Sequence, residues 1–392
     1  MAALRKLADR LERITSFHVM VLMEQAQQLE QQGRDIIHLE VGEPDFATPQ
    51  NVVAAGVEAM QAGKTRYTTA LGLPALRQAI ADFYQSRFGV DVPASRILIT
   101  PGASGALGLL NTLLFNPGDG VLLSDPGYPC NDNFLHQVGA LPQRIAVGAE
   151  SAYQLSAELV RQHWQPHTRG AWVASPSNPT GTLIPMAEMA AIKAEVDARE
   201  GALLVDEIYH NLVYEQPPAT ALALADAQDS LFVINSFSKY FNMTGWRLGW
   251  LVAPQQHVAA LEKLAQNYYL AASTIAQHAA LAAFSTQSIA LYEERRIILG
   301  QRRDFLLENL PGLGITIPCP PQGAFYLYCD VSAITDDSFE FCQQLLHGCG
   351  VAVTPGIDFG VHQAHRYIRI AYSASLERLQ EAIDRIARFI GG

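Results

Sequence analysis

AWVASPSNP (171–179), ALLVDEIY (202–209) and LFVINSFSK (231–239) decide the fold. Each is a short, continuous apolar run that ends in a polar or turn-forming cluster, and each begins some 30 residues after the one before. Between the first two lies a helical pattern, PMAEMAAIKAEVDARE (185–200). Strands apolar on both faces and separated by helices predict a largely parallel sheet covered on both sides.

Working outward, the same texture continues. RILIT (96–100) runs into a glycine-containing turn and the helical GASGALGLLNTLLF (102–115), and GVLLSDPGYP (120–129) is a further strand with a turn. NVVAAGVEAMQAG (51–63) and PALRQAIADFYQSRFG (74–89) read as helices. Upstream, LRKLADRLERI (4–14) and MVLMEQAQQLEQQG (20–33) are helical patterns, followed by a short strand IIHLEVG (36–42). The last hundred residues change character: a long polar helix (290–310), strands GAFYLYCDV, GVAVTPG and YIRIAYS, and a closing helix (375–390). The expected organisation is a large α/β domain over residues 48–285. A smaller α+β domain is built from residues 1–47 and 286–392.

Composition excludes several functions. The chain has 392 residues, 49% of them hydrophobic and 17% charged, enough for a large core. Its net charge of −11 argues against binding a nucleic-acid backbone. Five cysteines without C-x-x-C spacing fit reduced thiols in a cytoplasmic protein. The charged N-terminus has no apolar signal core. Two long stretches, 97–118 and 264–292, lack Asp, Glu, Lys and Arg, but their Asn, Gln, His and Pro residues are costly in lipid. They read as buried or subunit-interface helices, not membrane spans.

In open α/β sheets, ligands sit at the carboxyl ends of the strands. Those ends collect Gly102-Ala103-Ser104, Tyr128, Asn178, Asp206 with Tyr209, and Ser236 with Lys239. Only five of the 27 cations are lysines (Lys6, Lys64, Lys193, Lys239 and Lys263). Four sit in charged or loop contexts and read as surface. Lys239 directly follows an apolar strand, where partial burial lowers an amine's pKa and makes it a nucleophile. Asp206, straight after ALLV, sits at the sheet floor and calls for a buried cation. Gly102-Ala103-Ser104 opens a helix and offers free N–H groups to a phosphate, with Ser236 and Arg247 to complete the site. Arg369, in YIRIAYS, must meet an acid, either a protein carboxylate or that of a substrate. His163 and His167 have helical ligand spacing, but Pro166 breaks the helix between them; His362 and His365 read as surface loop, and no zinc or nucleotide-binding spacing occurs.

Together these residues resemble the class I/II aminotransferases of pyridoxal phosphate (PLP) fold type I. The resemblance runs in order along nearly the whole chain: VGEPDFATP (41–49), RYTTALG (66–72), PGASGAL (101–107), DPGYP (125–129), SPSNPTG (175–181), VDEIY (205–209), SFSKYFNMTGWRLGW (236–250), GAFY (323–326) and YIRIAYS (367–373). It implies that Lys239 forms the Schiff base and shuttles the proton of a quinonoid intermediate. Asp206 then holds the ring nitrogen, Asn178 and Tyr209 the ring oxygen, and Tyr128 stacks on the ring. Ala103, Ser104, Ser236 and Arg247 hold the phosphate, with Tyr67 reaching in from a second subunit of a homodimer with shared active sites. Arg369 binds the substrate carboxylate, helped by Asn178 and the backbone of Gly42.

The implied reaction moves the amino group of an L-α-amino acid to a 2-oxo acid, 2-oxoglutarate or pyruvate, with glutamate as a co-substrate. A PLP-dependent β-elimination lyase and a non-catalytic PLP- or amino-acid-binding module share the same residues. The neutral helix GASGALGLLNTLLF offers no cation for a distal carboxylate. Phe17, His18, Tyr67 and Tyr128 are expected to line an apolar or mixed side-chain pocket, unless Lys64, Arg66 or an arginine of a second subunit intrudes.

Overall fold

The structure, a computed structural model, describes residues 7–14, 18–226 and 230–391. Its strands are β1 (Ile37–His38), β2 (Ile97–Thr100), β3 (Gly120–Asp125), β4 (Leu141–Ala146), β5 (Thr168–Ala174), β6 (Ala202–Asp206), β7 (Leu231–Ser236), β8 (Gly249–Val252), β9 (Tyr326–Asp330), β10 (Val351–Ala352), β11 (Thr354–Pro355) and β12 (Tyr367–Ala371). β2 to β8 form one seven-stranded sheet in the order β2-β8-β7-β6-β5-β3-β4. Only β8 runs against its neighbours β2 and β7.

The continuous apolar runs have a direct explanation. Successive residues of a strand face opposite sides of the sheet, and here both sides are core. Ile99, Leu203, Val205 and Val233 join one apolar cluster. Their neighbours Leu98, Leu204, Phe232 and Ile234 join the other, with the helix Gly102–Leu114 packed on it.

A second sheet, β11-β12-β9, is antiparallel, and β1 pairs with β10 in parallel. The 24-residue helix Thr286–Asn309 precedes it. The closing helix Leu376–Gly391 buries Leu379, Ala382, Ile383 and Ile386, the i, i+3, i+4, i+7 stripe of an amphipathic helix.

Two expectations need correction. The described part of LRKLADRLERI forms only a 3-10 turn, Asp9–Arg13, and buries none of its residues, so no packed face supports a longer helix. Strand β8 (Gly249–Val252), to which the sequence reading assigns no element, is reached from β7 through a loop with a single 3-10 turn, Thr244–Trp246; with no crossover helix, it returns antiparallel. Lys193 is not a surface residue: it is 8% exposed and pairs with Asp197 at 2.7 Å. Lys64 and Lys263 are exposed as expected, and Lys6 lies outside the described residues.

Among the described residues no helix is long and apolar enough to cross a membrane.

Candidate active site

The segments at the carboxyl ends of β2, β3, β5, β6 and β7 open into a cavity of about 270 Å³. The catalytic, cofactor-binding and carboxylate-binding residues expected from the sequence lie on its wall, except Tyr67: Gly42, Ala103, Ser104, Tyr128, Asn178, Asp206, Tyr209, Ser236, Lys239, Arg247 and Arg369. Tyr67 stands 81% exposed, away from the cavity of its own chain.

Lys239 leaves β7 and donates to the carbonyl of Gly42. Burial lowers its pKa to about 8; Arg369 and Arg247 push the same way, while Glu43 and Asp206 oppose. Asp206, buried at the end of β6, is pushed up to about 6 by desolvation, against the N–H of Ile208 (3.0 Å) and the charge of Lys239. The Tyr209 and Tyr326 hydroxyls share a hydrogen bond of 2.8 Å, and burial raises both phenols.

On the other side of Lys239, the helix Gly102–Leu114 starts directly after β2. Gly102 has φ +67°, and a Cβ there would lie 2.7 Å from Arg247 Nη2. A Cβ on Gly249 would lie 2.7 Å from the Gly102 carbonyl carbon and 2.9 Å from Ala103 N. Two glycines thus let a guanidinium and a helix N-terminus converge, with the buried Ser236 and Ser238 hydroxyls 2.9 Å apart beside them. Positive charge, N–H donors and hydroxyls form an anion cradle.

Arg369 resolves the alternative left open by the sequence. It is 4% exposed, and among the described residues no carboxylate lies within ion-pair distance. Its Nη1 donates to Asn178 Oδ1 (3.0 Å), and its Nη2 to the Glu40 carbonyl and Thr354 Oγ1. Its Nε is buried with no partner. Tyr326 and Phe359 cover the guanidinium, their ring centres 4.4 and 4.8 Å from its carbon. A buried guanidinium with a spare donor is built for an incoming anion.

The rest of the wall was not read from the sequence. Val19, Met20 and Met23 come from the helix His18–Gln31, and Leu107, Asp358 and Phe359 from elsewhere. His18 does not line the cavity: its ring packs edge-on against Phe339. Phe17 lies outside the described residues. The apolar stripe of 18–31 and the F-Y pair at 325–326 were visible, but nothing local shows which elements they face.

The sequence matches the family "Aminotransferase class I and II" over residues 34–386. This chain belongs to that family. It is 38% identical to valine–pyruvate aminotransferase of Mycobacterium tuberculosis, covering 96% of this chain and 97% of that protein. It is 33% identical to aspartate/prephenate aminotransferase of Thermus thermophilus, covering 99% and 100%. A crystal structure of an aminotransferase from M. tuberculosis superposes with a TM-score of 0.95 at 37% identity, covering 99% of this chain and all of that one. Aspartate aminotransferase of T. thermophilus with maleate gives 0.92 at 33%, covering 98% and 100%.

The aminotransferase therefore has PLP fold type I, uses pyridoxal phosphate, and transfers an amino group from an amino acid to a 2-oxo acid. The donor set suits that cofactor: an anion cradle, an amine of lowered pKa and a buried carboxylate that calls for a cation, all on one cavity.

Proposed function

We propose that this aminotransferase takes an L-α-amino acid with an uncharged, largely apolar side chain as donor. The observation that carries this reading is Arg369, buried without an acid and facing the cavity that holds Lys239. It would clamp the α-carboxylate, with Asn178 and the backbone of Gly42, leaving the side chain to face Val19, Met20, Met23 and Leu107. Apart from Lys239, Arg247 and Arg369, that wall holds no Lys or Arg for a second carboxylate. The relative named valine–pyruvate aminotransferase acts on a donor of this kind.

In this reading Ala103, Ser104, Ser236 and Arg247 hold the phosphate, with Tyr67 of the partner subunit. Tyr128 packs on the ring face, Asn178 and Tyr209 hydrogen-bond the ring oxygen, and Asp206 keeps the ring nitrogen protonated. When bound, pyridoxal phosphate supplies an aldehyde that accepts the amino group and a ring that draws electrons from the Cα–H bond. Lys239 would hold the cofactor covalently at rest, and its amine, once displaced by the amino group of the donor, would take the Cα proton and return it. An amine with a pKa of about 8 is partly neutral at neutral pH, which general base work requires.

The domain division at residues 48–285 against 1–47 and 286–392 belongs to the same proposal, as does a cytoplasmic homodimer. All five cysteines are unpaired, and Tyr67, Tyr268 and Leu270 present exposed apolar surface for a second copy.

An amino-donor panel with 2-oxoglutarate and with pyruvate as acceptors tests the reading. Valine, leucine, methionine and phenylalanine should exceed aspartate and glutamate as donors. Aspartate preferred over all four would overturn it.

A further inference from the structure

We propose that Asp358 determines which amino-acid side chains this enzyme accepts, by fixing the first turn of the helix His18–Gln31 as the outer wall of the cavity. The inference rests on the apolar-donor reading above and assigns a residue to it.

Asp358 is 6% exposed and lines the cavity. Its Oδ1 accepts the N–H of His18 at 2.8 Å, and its Oδ2 the N–H of Val19 at 2.7 Å. The first N–H groups of a helix have no partner within it, and a carboxylate there also meets the positive end of the helix dipole. The cap comes from a residue more than 300 positions away. It therefore acts as a tether between two distant parts of the chain, not as a local cap.

What it tethers is the wall. Val19, Met20 and Met23 lie on the first turn and a half of this helix, and all three reach the cavity. Only Val19, Leu22 and Ala26 of the helix are buried, and Met20 is 53% exposed, so apolar packing alone holds the helix lightly. The loop that carries Asp358 is fixed from its other side. The Asp125 carboxylate, at the end of β3, accepts the N–H of Val361 at 3.1 Å. Phe359, between these two anchors, covers the Arg369 guanidinium. The carboxylate-binding arginine and the side-chain wall are thus positioned by one short loop. A donor side chain long enough to pass Arg369 meets Val19, Met20 and Met23. A distal carboxylate would meet the negative charge of Asp358 in the same wall.

The test uses the PLP-loaded enzyme and its variants D358N, D358A and M23A, with alanine, leucine and glutamate as donors and one common acceptor. A methylene in an apolar pocket is worth about 10–200-fold in discrimination, so loosening the wall in D358A should lower the leucine-to-alanine ratio of kcat/KM about tenfold, chiefly through KM. D358N, whose amide oxygen still accepts one N–H, should fall between. M23A keeps the cap and removes part of the wall, so it should shift the ratio in the same direction. If D358A does not fold, D358N and M23A decide. An unchanged ratio in D358N, or an equal loss for all donors, overturns the role of Asp358 while the apolar-donor reading stands. Wild-type preference for glutamate over leucine overturns the donor reading itself.

Discussion

Arg369 on β12 and Asn178, in the turn just beyond β5, share a hydrogen bond of 3.0 Å, although 191 positions separate them and β12 and β5 belong to different sheets. The bond ties the unpaired guanidinium to the rim that carries Lys239 and Asp206. Arg369→Ala should raise the KM for amino-acid donors, with a loss in kcat/KM worth about 2–5 kcal/mol. Arg369→Lys should recover only part, because an ammonium cannot reproduce the bidentate fork. Asn178→Ala should cost less, about 1.5–3 kcal/mol for one hydrogen bond to a charged group. Steady-state kinetics on the three variants check the order; an unchanged KM in Arg369→Ala would show that another residue holds the carboxylate.

Lys239 makes a prediction about pH. In the cofactor-free chain its pKa is lowered from 10.5 to about 8, chiefly by burial. The rate at which cofactor-free enzyme recaptures PLP should therefore climb through pH 8. A midpoint near that of a free lysine would contradict the burial. Between pH 8 and 10.5 the unfolded chain binds more protons at this residue than the folded one, so Lys239 contributes a rise in stability with pH across that window. Below pH 8 its full cost is present. Lys239→Ala should abolish turnover and the visible absorbance of lysine-bound cofactor, and Lys239→Arg should do the same, since a guanidinium stays charged.

Gly360 has no room for a methyl group. A Cβ there would lie 1.7 Å from Asp125 Oδ1, the carboxylate that anchors the loop at Val361. Gly360→Ala should destabilise the fold by about 1–3 kcal/mol through overpacking and raise the KM for donors, because Phe359 and Asp358 lie on the same loop. Gly108→Ala, in a helix and with open space around it, should be neutral or stabilising by up to about 1 kcal/mol. Urea unfolding of the two variants side by side separates the local clash from a general intolerance of alanine.

Lys193→Arg should be costly where Lys263→Arg is not. Lys193 is a buried residue of the sheet-covering helix Met186–Asp197, where a larger head group has to displace its neighbours at a cost of about 1–3 kcal/mol. Thermal denaturation of both variants compares them directly.

The rim of the site was legible because its information is local. A run such as ALLVD identifies a strand buried on both faces, and the residue that follows stands at its carboxyl end whatever the rest of the chain does. The amino-acid sequence by itself thus determined the largely parallel sheet, the five strand ends that line the cavity and the place of Lys239 and Asp206 on them. Burial of Lys193 was not legible, because EVDA and AEMAA allow either face of that helix to turn inward. The direction of β8 was equally silent, since WLVA reads the same either way.

Only the tertiary structure decided which partners meet across the chain. Whether Arg369 had a protein acid depended on how β12 docks beside Asn178 and Glu40. The wall of Val19, Met20 and Met23 depended on a cap supplied by Asp358, from the opposite end of the sequence. Periodicity records how deeply a residue is buried and on which face of its element. It carries no record of what lies opposite, because that contact is chosen by the packing of whole sheets and helices against one another.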